Sequence, residues 1–216
     1  MGPQMGTEPH GICGVSPGPT ARPPAALTTV RQDDVPIRSS AYAATVLSTV
    51  GGMDIRPVRP HEHDALGELT VAAYTAIDPA VVDGDGYAGE LRDVAGRVAD
   101  AEVLVAVDDA GTVLGGVTYV PGPDSAWAEF SEPDGAGIRM LAVAPGARGR
   151  GVGEALSRAC VDRARAAGRG QILLHSTDRM AAAHRLYQRL GFARDGSLDW
   201  EPVPGFWLRG FRLRLD

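Results

Sequence analysis

The stretch that most constrains this chain runs from Ile138 to Glu154. An apolar segment, Ile138 to Val143, leads into Ala144-Pro145-Gly146-Ala147, then Arg148-Gly149-Arg150-Gly151-Val152-Gly153, and then a helical pattern. A strand feeding a glycine-rich turn at a helix start presents unpaired backbone N–H groups and the positive end of a helix dipole to an anion. Glycines let that backbone approach phosphate oxygens closely. Arg148 and Arg150 make the turn locally positive in a 216-residue chain whose formal net charge is -6. A helix entry with glycines chosen only for turn geometry is the competing reading of this shape.

Elimination narrows the ligand. A Walker A loop needs Lys-Ser or Lys-Thr after its last glycine, whereas Val152 and Gly153 follow Gly151, and all 21 basic residues are arginine. A dinucleotide fingerprint starting at Gly149 would need glycine where Glu154 stands, and no acid suited to a ribose lies about 20 residues beyond the turn. The acidic balance, with no long basic run, speaks against nucleic acid and anionic membranes as partners. Cys13 and Cys160 are far apart and form no metal-ligand spacing, so neither a disulfide framework nor a structural zinc is expected. His61 and His63 flank Glu62 without a third clustered ligand and read as surface residues, so no metal is expected.

Residues 1–52 are rich in proline and glycine and sustain no amphipathic period, which predicts a disordered tail with at most a short helix over Ala41 to Val50. Met53 is a candidate for the true start. That apolar stretch is too short to span a bilayer, no secretory signal is evident, and a reducing cytoplasm is the expected compartment. From Met53 to Asp216 the pattern is that of one α/β domain. It predicts a strand over Met53 to Val58, a helix from Pro60 to Ile77, a helix near Tyr87 to Ala99, and a hairpin of Val103 to Val107 with Val113 to Val120. Beyond the glycine turn it predicts a helix to about Ala167, a strand over Gln171 to His175 and a helix from Arg179 to Leu190. Strands near Phe192 to Leu198 and Phe206 to Leu215 complete it. Hairpins and crossovers together imply a mixed sheet covered by helices.

The pattern Arg/Gln-x-x-Gly-x-Gly/Ala, met by Arg148, Gly151 and Gly153 after Met140-Leu141-Ala142-Val143-Ala144-Pro145, resembles the acyl-coenzyme A signature of the GNAT superfamily of N-acetyltransferases. The likeness continues through Leu186-Tyr187-Gln188-Arg189-Leu190-Gly191-Phe192 and covers essentially Met53 to Asp216. It implies a mixed, mostly antiparallel sheet flanked by helices, with a splayed strand pair at the cofactor site. It also implies acetyl-CoA as cosubstrate. Leu141, Ala142 and Val143 would meet the pantetheine arm, and Arg148, Gly149, Arg150, Gly151, Val152, Gly153 and Glu154 the pyrophosphate. Tyr187 would protonate the leaving thiolate, although a buried aromatic on that helical face needs no chemistry. The family often has Asn seven positions before this tyrosine; here Met180 stands there.

A protonated amine acceptor must lose a proton before it attacks, so a base is expected. Glu129, Glu132 and His175 are the candidates, each of which also fits a solvated carboxylate or a packed histidine. The reading is therefore an N-acetyltransferase acting on a small-molecule or peptide primary amine by direct transfer, as a monomer or homodimer. The absence of cysteine from the motif core argues against an acyl-cysteine route. A non-catalytic acyl-CoA binding or sensing module of the same fold is the alternative, which an intact Tyr187 disfavours.

Overall fold

The computed structural model describes residues 48–50, 52–79, 82 and 87–216. Among them the chain forms β1 (Ser48–Val50), β2 (Met53–Pro57), α1 (His63–Thr75), α2 (Tyr87–Arg92), α3 (Val94–Asp100), β3 (Glu102–Asp108), β4 (Val113–Val120) and β5 (Gly135–Val143). There follow α4 (Val152–Ala166), β6 (Gln171–Ser176), α5 (Ala181–Arg189), β7 (Ala193–Arg194), β8 (Trp200–Val203) and β9 (Phe206–Arg214). The strands lie in the order β1-β2-β3-β4-β5-β6-β9-β7, with β8 pairing to β9. Every neighbouring pair is antiparallel except β5 and β6, which are parallel.

The centre of the sheet is apolar on both faces because both are covered. In β3 the residues Val103, Val105 and Val107 pack with Leu66 of α1 and Val94 of α3. The alternate residues Leu104 and Ala106 join Leu156 and Cys160 of α4 in the main core. The period-2 alternation of a strand thus sends one continuous hydrophobic run into two cores. α4 is amphipathic and seats Val152, Ala155, Leu156 and Ala159 on the sheet, as its spacing predicts. In β4 the chain closes tightly on its neighbours. A Cβ on Gly116 would stand 2.5 Å from Leu66 Cδ1, and one on Gly115 2.6 Å from the Ala142 carbonyl oxygen.

Three expectations change. Ser48–Val50 is a strand paired with β2, Val50 opposite Met53, and not the end of a helix. Thr49 and Val50 favour extended backbone, and Gly52, at φ +76°, takes the left-handed conformation that a tight hairpin turn uses. Of the rest of the expected tail, residues 1–47 and 51 lie outside the described residues. The helix expected from Tyr87 to Ala99 is two helices. The Asp93 carboxylate accepts a hydrogen bond from the Gly96 N–H at 2.7 Å and caps α3 afresh, which leaves Val98 exposed. The strand expected over Phe192 to Leu198 is only the two residues of β7. Asp195 then accepts from the Ser197 N–H at 3.0 Å and turns the chain.

Glu62 is the buried group that the flanking histidines obscured. Arg56 donates to both its carboxylate oxygens, at 2.8 and 2.6 Å, and the Arg59 N–H adds a third bond at 2.7 Å. The two side chains are 8% and 6% exposed, so this bidentate pair ties β2 to the entry of α1 away from solvent. The hydrogen bond from Arg56 lowers the Glu62 carboxyl to about 2 against the opposing effect of burial. A depressed carboxylate contributes stability that is fully present above its unfolded value of about 4.5 and lost as pH falls toward 2. Glu62→Gln should therefore destabilise the domain by about 3 kcal/mol at neutral pH and flatten the acid limb of stability between pH 4.5 and 2. Urea unfolding as a function of pH on both proteins measures this, and parallel acid limbs would exclude it.

Candidate active site

β5 and β6 begin as a pair and then separate. Their parallel register runs from Gly135 opposite Gln171 to Ile138 opposite Leu174 and stops there, while β5 runs on to Val143. The cause lies on the other edge of β5. Gly116 of β4 faces Ala142, but Thr118 faces Arg139, so β5 carries an extra residue, and Met140 takes the left-handed value φ +52°. A bulge of this kind bends its strand and increases its twist. The Met140 sulfur accepts a hydrogen bond from the buried Arg97 guanidinium. The edge of β5 turned toward β6, from Arg139 to Val143, is thereby left without a strand partner on that side.

The glycine turn follows at the end of this edge. Gly149 and Gly151 have φ +75° and +81°, and a Cβ on either would meet nothing within 4 Å, so backbone conformation and not crowding asks for glycine. Gly151 is the N-cap of α4 and no side chain caps the helix. The first helical bond is donated by the Ala155 N–H to the Gly151 oxygen at 2.9 Å. The N–H groups of Val152, Gly153 and Glu154 therefore precede the first intrahelical donor. They open onto a cavity of about 560 Å³ lined by Leu141, Val143, Arg148, Gly153, Leu186 and Tyr187 among others. Ala142, Gly149, Gly151, Val152 and Glu154 line it too, whereas Arg150, alone of the residues expected there, does not. The Glu154 carboxylate turns to Arg158, at 2.9 Å.

Tyr187, on α5, is 5% exposed and packs between Phe192 and Phe211, each ring centroid 5.8 Å away. Burial pushes its phenol well above the usual value, with Tyr74 and Cys160 adding to the shift, so the hydroxyl keeps its proton. Met180 lines the cavity where the motif often has asparagine.

A second cavity, of about 570 Å³, adjoins the first and shares Tyr74, Arg139, Met140, His175 and Met180 with it. Two of the base candidates meet here. The Glu129 carboxylate lies 3.4 Å from His175 Nδ1 and 2.7 Å from the Arg139 guanidinium. His175 Nε2 is 2.9 Å from the Leu198 carbonyl, which can only accept, so Nε2 carries a hydrogen. Burial acts to raise the Glu129 carboxyl, but the hydrogen bond with His175 and the charges of Arg139 and His175 outweigh it and hold the group below its ordinary range. Glu132 is not part of this cluster; it pairs with Arg212 at 3.0 Å. Tyr87, Glu90, Trp200 and Phe206 complete much of the wall.

Arg139, Tyr74 and the β8–β9 hairpin are the site residues that sequence reasoning missed. Arg139 left one signal, a single charge inside the apolar run Ile138 to Val143. Tyr74 and Trp200 left none, since aromatic residues at such spacing read as core.

An open strand edge thus runs into a helix N-terminus beside a second cavity. Residues 65–192 match the model of the acetyltransferase (GNAT) family, and the chain belongs to that family. It is 32% identical over 168 residues to streptothricin acetyltransferase of Streptomyces lavendulae, covering 65% of this chain and 81% of that one. Among solved structures, a GCN5-related N-acetyltransferase from Kribbella flavida superposes with TM-score 0.58 at 23% identity, over 76% of this chain and 98% of that one. The yncA protein of Salmonella typhimurium, solved with its cofactor acetyl-CoA, gives TM-score 0.54 at 22% identity, over 76% and 95%. These two share the fold. The protein is an acetyltransferase of mixed α/β architecture, and no helix among its described residues is long and apolar enough to cross a membrane.

Cys160 bears on the route of transfer. It is fully buried in α4, and burial pushes its thiol far above the usual range. Iodoacetamide on the folded protein should leave the Cys160 peptide unmodified by mass spectrometry while labelling it after denaturation. Rapid native labelling would reopen the acyl-cysteine route.

Proposed function

We propose that the protein transfers the acetyl group of acetyl-CoA to the primary amine of a small molecule or peptide, by direct attack with donor and acceptor bound together. The observation that carries the reading is the meeting of two cavities where β5 and β6 part, with Tyr187 on one side and the Glu129–His175 pair on the other. The residues present suit the cosubstrate. The free edge of β5 offers main-chain groups of Leu141 and Val143 to the pantetheine amides. The N–H groups from Gly151 to Glu154, the dipole of α4 and Arg148 suit a pyrophosphate. When bound, acetyl-CoA supplies a thioester carbonyl whose carbon is open to a nucleophile.

The chain's own groups would manage the protons. The Glu129–His175 pair, at the wall of the second cavity, accepts the proton that the acceptor ammonium must lose, directly or through water. Its carboxylate is ionised at working pH because His175 and Arg139 lower it. Tyr187, kept protonated by burial, supplies a proton to the departing thiolate, which needs one more than it needs a charge partner in an apolar pocket. The relative's name makes streptothricin the first acceptor to test.

Two substitutions examine the two halves of the site. Gly153→Val adds bulk where a Cβ has only ordinary contacts, 3.5 Å from Leu186 and Val143, so the domain should fold while acetyl-CoA binds at least tenfold more weakly, about 1.4 kcal/mol. Calorimetric titration reads this, and unchanged affinity removes the pyrophosphate assignment. Tyr187→Phe keeps the ring between Phe192 and Phe211 and deletes one hydroxyl. Thiol release with streptothricin should fall about 10²-fold with acetyl-CoA affinity and thermal midpoint nearly unchanged. Turnover near wild type would leave Tyr187 a core residue, in which case Tyr187→Ala should cost about 3 kcal/mol of stability and nothing specific to catalysis.

A further inference from the structure

Three side chains common to both cavities carry hydrogen-bond donors: Tyr74, Arg139 and His175. Two are committed. Arg139 binds Glu129 at 2.7 Å and the Trp127 carbonyl at 3.3 Å, and His175 binds Leu198 and Glu129. The Tyr74 hydroxyl makes no hydrogen bond to any described residue; its recorded ring contact is an edge-on approach to Tyr87 at 6.2 Å. A donor with no hydrogen-bond partner among the described residues thus lines both cavities where they adjoin, on the last turn of α1.

We infer that Tyr74 is a further catalytic residue, its hydroxyl donating a hydrogen bond to the thioester carbonyl oxygen as negative charge develops there. The inference rests on the acetyl-transfer reading above. The amine lone pair forms the N–C bond while the carbonyl π pair moves onto oxygen, where the Tyr74 O–H holds it without giving up its proton. That pair then returns, the C–S bond breaks and the sulfur takes the Tyr187 proton; the proton in excess on nitrogen goes back to Tyr187 through water, so that the Glu129–His175 pair holds only the one proton it took from the ammonium. Donors aimed at developing charge in a desolvated site are among the larger contributions to catalysis.

Two cations support the assignment. Arg97 is 1% exposed, with its Nε unpartnered among the described residues and its terminal nitrogen on the Met140 sulfur, so a buried guanidinium with no ion-pair contact among the described residues lies behind the junction. Arg139 lies on the other flank. Burial pushes the Tyr74 phenol up to about 12, with Arg139 and Arg97 pulling against the rise and Glu129 adding to it. The group therefore remains a donor across the working range, polarised by positive charge.

The test compares acetyl-CoA with S-ethyl coenzyme A, which lacks only the carbonyl oxygen, by calorimetry on wild type and Tyr74→Phe. Wild type should prefer acetyl-CoA about three- to tenfold, and Tyr74→Phe should lose that preference by weakening acetyl-CoA alone, since one hydrogen bond is at stake. Thiol release with streptothricin should fall about 10²-fold in the same variant, at an unchanged thermal midpoint. A preference retained in Tyr74→Phe, or absent from wild type, overturns the assignment. Binding of neither ligand by wild type would instead overturn the acetyl-transfer reading, and this inference with it.

Discussion

The parting of β5 from β6 is the constraint on which the rest of the molecule depends. A parallel strand pair whose ladder stops at Ile138 and Leu174 exposes backbone groups that a folded protein ordinarily keeps paired. The split is held open from both sides. Met140 adopts a left-handed conformation where β5 carries one extra residue, and Gly115 of β4 lets β5 approach at Ala142 without a Cβ in the way, as Gly116 does for Leu66 of α1. β6 meanwhile is held in place by β9, to which it pairs from Gln171 to Ser176. One strand is thus bent while its neighbour is kept straight, and a cleft results.

The charges around the cleft come from distant parts of the chain and are joined by Arg139. Its guanidinium reaches Glu129 from the loop before β5 and Glu90 from α2, and lies 5.4 Å over the Trp127 ring. It helps to keep Glu129 ionised, whereas the Tyr74 phenol stays neutral because burial outweighs the pull of Arg139 and Arg97. The two cavities differ in their supports accordingly. The one beside α4 relies on backbone N–H groups and a helix end, which suit any phosphate, whereas the one beside Glu129 relies on side chains from α1, α2, the loop before β5 and the β8–β9 hairpin. Variation in those side chains would reshape the second cavity without disturbing the first.

How far the sequence could be read follows from the range of each signal. The amphipathic period of α4, the apolar runs of β3 to β6 and the glycine turn are local, and each lies where the pattern puts it. The breaks were harder. The division between α2 and α3 turns on one Asp93 carboxylate competing for a backbone N–H, and the brevity of β7 on Asp195 doing the same, choices that a hydrophobic period does not register.

The sequence by itself determined the family, the alternation of strands and helices, and the motif from Arg148 to Gly153, because these are written in residues adjacent along the chain. Only the tertiary structure decided that Glu129 and His175 form one pair while Glu132 turns to Arg212, that Glu62 is a buried partner of Arg56, and that Tyr74 faces both cavities. Those contacts join positions far apart in sequence, or depend on which way a single strand bends. A spacing rule carries neither kind of information, since the bulge at Met140 lies against β4 and Arg97, which are distant from it in sequence.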